Sequence, residues 1–89
     1  AASEYAYRLA VALARAGRPA EAVEVLRAYC ERVPGNPRME QALVLLLVRL
    51  GRAGEARERA AAVLGIGADD PRAAEQVRRW YAAARGAAP

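Results

Sequence analysis

The stretch RAGRPAEA, Arg15 to Ala22, recurs as RLGRAGEA, Arg49 to Ala56. The same offset of thirty-four positions extends outward from both copies: Gly17 to Gly51, Ala22 to Ala56, Asn36 to Asp70, Pro37 to Pro71 and Arg38 to Arg72. A fixed period of this size is the mark of stacked structural repeats. Each copy reads as one helix end followed by the start of another. Arginine in the last turn suits a helix C-terminus, and the glycine after it can take the left-handed conformation that closes a helix.

Working outward, Ser3 is placed to cap a first helix with Ala6, Leu9, Ala10 and Leu13 on one stripe. Pro19 stands where a first-turn proline is tolerated. A second helix follows to about Arg32, with Ala22, Val25, Leu26, Tyr29, Cys30 and Val33 inward. Pro34-Gly35-Asn36-Pro37 breaks it. The third helix is Met39 to Leu50, MEQALVLLLVRL. At about 100° per residue, Met39, Leu43, Leu46, Leu47 and Leu50 share one side, while Leu45 and Val48 lie opposite beside Arg38, Gln41 and Arg49. A helix apolar nearly all round is buried among neighbours. A fourth helix is predicted over about Ala53 to Leu64, with Ala56, Ala60, Val63 and Leu64 inward. After the loop Gly65 to Asp70, Asp70 caps a fifth helix over about Pro71 to Arg85, with Val77, Trp80, Tyr81 and Ala84 along one stripe.

Composition agrees with an all-α chain. Phenylalanine is absent, β-branched residues are few and alanine is abundant, so helices are favoured and can approach closely. Eighty-nine residues make one domain at most. All fourteen basic residues are arginine, and the net charge is +4, which permits an acidic partner without requiring one. Pairs at helical spacing, Glu4 with Arg8, Glu24 with Arg27, Glu55 with Arg59 and Glu75 with Arg78 and Arg79, read as solvated faces. No apolar run approaches the ~18–20 residues of a membrane span. No signal peptide is visible. The missing initial methionine and the alanine-rich ends (AAS, GAAP) read as a piece cut from a larger protein, with the ends as linker. The balance favours a soluble, cytoplasmic chain, and the Ala, Arg, Gly and Pro richness points to a GC-rich bacterial genome.

Helix pairs repeating at this period resemble the tetratricopeptide repeat. The resemblance covers residues 3–36 and 37–70 as two repeats, with 71–86 as a capping helix, within a single domain 1–89. Leu9 and Leu43 take the family's leucine site, Ala10 its small site, Ala22 and Ala56 the second-helix alanine, and Pro34 the closing proline. Leu26 replaces the phenylalanine, and Leu13 and Leu47 replace the tyrosine. In the fifth helix Val77 and Tyr81 fit. Ala6 and Glu40 stand where the first aromatic belongs, Val44 and Arg78 occupy the small site, and Ala68 replaces the second closing proline. The rival is another antiparallel helical repeat of similar length, such as the RNA-binding pentatricopeptide type. The resemblance implies antiparallel helix pairs stacked as a right-handed α-solenoid of about five helices. The third helix should then touch the first, second, fourth and fifth.

Catalysis finds little to work with. There is no histidine, so a catalytic triad or a Cys-His pair cannot be built within the chain. Cys30 is the one cysteine and reads as a small buried hydrophobe. No metal or cofactor is expected. Asp69-Asp70 reads as a capping loop, Gly65-Ile66-Gly67 is too short for a phosphate loop, and Trp80 reads as core or end packing. What remains is a surface. The resemblance implies a protein or peptide partner in a concave groove lined by the first helix of each pair. Transferred residue by residue, the register places Glu4, Tyr7, Val11 and Arg15 there, with Arg38, Gln41, Leu45, Val48 and Arg49, and then Arg72, Glu75 and Arg79. The lysine/asparagine clamp of chaperone-binding members is not reproduced, since Tyr7 and Val11 stand at such positions. A segment with apolar anchors and some acidic residues fits better. Two alternatives stay open. Arg72, Arg78, Arg79 and Arg85 give the last helix a basic face that nucleic acid could use, though no aromatics interleave them. The exposed ends could also self-associate into a homo-oligomer.

Overall fold

The two glycine turns repeat each other's hydrogen bonds. In the computed structural model, which describes residues 2–86, Arg18 donates its backbone N–H to Leu13 (2.9 Å) and Gly17 to Ala14 (3.1 Å). One repeat on, Arg52 donates to Leu47 (2.8 Å) and Gly51 to Val48 (3.0 Å). This is the double closure of a left-handed helix terminus, and Gly17 and Gly51 carry the positive φ it needs, 78° and 75°. A bidentate ion pair repeats as well: Arg18 Nη2 to Glu21 at 2.6 Å and Arg52 Nη2 to Glu55 at 2.7 Å. The shared sequence thus builds one turn twice.

Five helices result: α1 Ala2–Arg15, α2 Pro19–Arg32, α3 Pro37–Arg49, α4 Ala53–Leu64 and α5 Pro71–Gly86. No strand occurs among the described residues. Proline opens α2, α3 and α5 at a position where no amide donor is needed. Asn36 caps α3 by accepting from Met39 N–H (3.3 Å), and Asp70 opens α5 by accepting from Arg72 N–H (2.9 Å). Ser3 does not cap α1, because that helix already runs from Ala2. The linker expected for Ala1 and for Ala87 to Pro89 lies outside the described residues.

Successive helices pack as α1–α2, α2–α3 and α3–α4, and α5 lies on both α3 and α4. The core is contiguous, from Ala6 and Ala10 through Val23, Leu26, Leu43, Val44 and Leu47 to Ala56, Ala60 and Val77. Alanines at the crossings bring the helices close, so few large side chains fill it. α3 therefore has packed neighbours in α2, α4 and α5. Its approach to α1 is made by side chains: Arg38 reaches Glu4 (3.2 Å) and lies over the Tyr7 ring (3.9 Å to its centroid).

Some residues expected inward are not. Leu9, Leu50, Leu64 and Val33 are exposed, and Val25, Leu46 and Val63 are only partly buried. Periodicity finds an apolar stripe but not whether a neighbour covers it. Leu9 shows this best: it is 36% exposed, whereas Leu43, at the same place in the second repeat, is 1% exposed on a helix packed against α2, α4 and α5. Conversely Val23, Val44, Ala61 and Ala73 are buried although no stripe marks them.

The pairing of charges also differs from helical spacing. Arg59 turns away from Glu55 and crosses to Glu40 on α3, at 2.8 and 3.2 Å, with a weaker bond to the Cys30 carbonyl (3.4 Å). Glu40, at the aromatic site of the repeat, is fully buried and also accepts from Gly35 N–H (3.2 Å). A carboxylate out of contact with water needs a cation far more than an exposed one does, which draws Arg59 inward. Glu55 is left to Arg52 and to Arg27 of α2 (2.7 Å). Arg78 makes no ion pair with Glu75, which holds Arg79 alone (3.4 Å).

Two carboxyls carry an acid prediction. The hydrogen bonds from Arg52 and then Arg27 hold Glu55 down at about 2, and those from Arg72 hold Asp70 at about 2. Both lie below their ordinary values, 4.5 and 3.8, so the folded form binds protons less readily than the unfolded one. Their contribution is full above those ordinary values and is lost as pH falls toward about 2. The melting temperature followed by circular dichroism should be level near neutrality and fall through that window. Glu55→Gln should flatten part of the fall.

Candidate functional site

Helical spacing sets the site. Tyr7, Val11 and Arg15 recur every four residues along α1, and Arg38, Gln41, Leu45 and Arg49 form the matching stripe of α3. These two stripes face one another. Three hollows lie along them, and Tyr7 lines all three. The first, about 360 Å³, lies along α1 between Glu4, Arg15 and Arg38. The second, about 180 Å³, sits between α1 and α3. The third, about 230 Å³, runs from Arg38, Gln41 and Leu45 to Ala83 and Ala84 of α5.

The second hollow is the most apolar in its surroundings. Ala10, Val11 and Ala14 wall it from α1, Ala42, Leu45 and Leu46 from α3, and Leu26 reaches up from α2 as its floor. Alanines at positions 10, 14 and 42 keep it open, because a larger side chain there would fill it. Arg15 and Arg49, the last residues of α1 and α3, stand at its mouth. Both are exposed, and among the described residues neither meets a carboxylate. Arg38, by contrast, is committed to Glu4 and Tyr7. The Glu4 carboxyl is held below the usual carboxylate range, first by its hydrogen bond from Arg8 and then by the charge of Arg38.

Eight of the twelve residues expected in the groove line these hollows: Glu4, Tyr7, Val11, Arg15, Arg38, Gln41, Leu45 and Arg49. Four do not. Val48 is half-buried against the core. Arg72 is bound at the start of α5 to Asp70 (2.7 Å), and Arg79 lies on α5 with Glu75 and Gln76. In their place α5 offers Ala83 and Ala84. Sequence puts Ala84 on the inward stripe of the fifth helix but gives no sign that either alanine borders a hollow, since an alanine reads as helix former. Leu26, expected in the core, is both core and floor.

Other chemistry has little support here. Burial pushes the Cys30 thiol up to about 12, with the nearby Glu40 charge adding to it, so the thiol stays protonated and unreactive. Among the described residues no group of carboxylate, cysteine or histidine side chains could hold a metal ion. None of the described helices is long and apolar enough to cross a membrane. On α5, Arg72 and Arg79 are engaged within the helix, and Arg85 lies over the Tyr81 ring (5.5 Å to its centroid). Arg78, the fourth arginine expected on that face, is exposed and has no carboxylate partner among the described residues.

The model of the tetratricopeptide repeat matches residues 13–80, from within α1 to within α5. No curated protein and no solved structure matches the chain.

Proposed function

The chain belongs to the tetratricopeptide repeat family, whose members mediate contacts between proteins, and from that premise we propose that a partner segment lies in the groove between α1 and α3. The observation that supports this is the apolar hollow floored by Leu26 and flanked by Val11 and Leu45. At about 180 Å³ it is smaller than the ~300–1,000 Å³ of a small-molecule site and suits one anchoring side chain. The segment is extended or helical, with the anchor in the hollow and the rest lying along Tyr7, Arg38 and Gln41. The role is that of a scaffold or adaptor rather than a catalyst.

A photo-crosslinking residue in place of Leu45 should trap a partner protein from lysate, and one in place of Arg57 on α4 should not. Leu45→Glu and Arg49→Glu should each reduce retention of that partner by at least about tenfold, equal to ~1.4 kcal/mol, with helical circular dichroism unchanged. Undiminished retention by both variants would overturn the reading.

A further inference from the structure

We infer that the segment taken by this groove is acidic, with an aliphatic anchor beside an internal Asp or Glu whose carboxylate bridges Arg15 and Arg49. The inference rests on the groove reading above and adds the chemistry of the occupant. Four arginines, Arg8, Arg15, Arg38 and Arg49, border the hollows along α1 and α3, against a single carboxylate, Glu4. The other acid of these two helices, Glu40, is buried and held by Arg59. Glu4 takes both Arg8 (2.9 Å) and Arg38 (3.2 Å). That leaves Arg15 and Arg49 as the uncommitted cations at the same hollow.

Their placement also orients the occupant. Both are the final residue of their helix, at equivalent places in the two repeats, so they stand together at one end of the apolar hollow. Their charges suit the negative ends of the two helix dipoles, which is a local reason for arginine there. It does not supply the acceptors that two guanidinium groups can hold, and a carboxylate accepts two such donors in charge-assisted bonds. At the opposite end an acidic residue would have to displace Glu4 from Arg38. The acid therefore belongs at the Arg15–Arg49 end, and the anchor next to it over Leu26.

The probe is a capped peptide, acetyl-Gly-Ser-Glu-Leu-Glu-Gly-Ser-amide, added to ¹⁵N-labelled protein and followed by amide shifts. Blocked ends remove any terminal carboxylate, and an acid on each side of leucine makes orientation immaterial. Shifts should cluster over Val11–Arg15 and Ala42–Arg49. Binding should weaken by roughly fivefold or more in three cases: Lys in place of Glu, Ala in place of Leu, and the R15Q/R49Q double variant checked for folding by circular dichroism. It should also weaken as sodium chloride rises from about 50 to about 300 mM. The inference is overturned by equal binding of the lysine peptide, by shifts clustered elsewhere, by none at about 5 mM peptide, or by stronger shifts of the same amides with single-stranded DNA. If the acidic peptide fails while a crosslinker at Leu45 still traps a protein, the acidic assignment falls and the groove reading stands. If Leu45 traps nothing, both fall.

Discussion

Arg59→Met is expected to lose about 3–5 kcal/mol in urea unfolding followed by helical circular dichroism. That is a large share of the ~4–13 kcal/mol that a domain of this length holds at the usual 0.05–0.15 kcal/mol per residue. The reason is what the variant leaves behind. Glu40 has no exposure, and the Arg59 side chain keeps 13%. Gly35 N–H would remain as the only donor to Glu40 among those present, and one amide does not offset the loss of a guanidinium. The clasp also joins three elements, since Arg59 on α4 meets Glu40 on α3 and the Cys30 carbonyl at the end of α2. The double variant Glu40→Met with Arg59→Met should behave oppositely. With both charges gone, stability should return to near its starting value, or exceed it by about 1–4 kcal/mol, as replaced buried pairs often do. A single-variant loss under about 1 kcal/mol would show that water reaches Glu40.

The contrast between that pair and the turns marks what the sequence can convey. Helix ends are legible because proline and glycine restrict the backbone locally: Pro19, Pro37 and Pro71 each begin a helix, and Gly17 and Gly51 close one. The repeat offset then carries the turn, the ion pair and the helix-pair arrangement from one copy to the next. Glu40 reads in sequence only as a departure from an aromatic, because its partner lies on another helix and no local spacing points to it. The groove divides in the same way. Positions along α1 and α3 are read by register, and Glu4, Tyr7, Val11, Arg15, Arg38, Gln41, Leu45 and Arg49 line the hollows beside those helices. Register does not convey how a helix crosses its neighbours. Val48 sits about 60° around α3 from Leu45, enough to turn it toward the core. α5 meets the groove through its C-terminal half, at Ala83 and Ala84, rather than through Arg72 or Arg79.

The same register yields the second large effect. Leu43→Ala should cost about 2–5 kcal/mol, and Leu9→Ala, at the equivalent position of α1, under about 1 kcal/mol. The two leucines have the same place in the repeat, but Leu43 keeps 1% of its surface exposed and Leu9 keeps 36%. Their neighbours behave alike: Met39 is 1% exposed and its counterpart Tyr5 is 72% exposed. Truncating Leu43 opens a cavity inside the core, whereas Leu9 is partly in water already and its truncation leaves no enclosed cavity. Urea midpoints at constant slope would report both costs. If Leu9→Ala proved as costly as Leu43→Ala, the outer stripe of α1 would have to be covered in solution. The natural cover is the end of a second copy, and the stability of the unsubstituted chain would then rise with its own concentration. A midpoint independent of concentration, with a small Leu9 effect, would instead mean that each copy stands alone with Tyr5 and Leu9 in water.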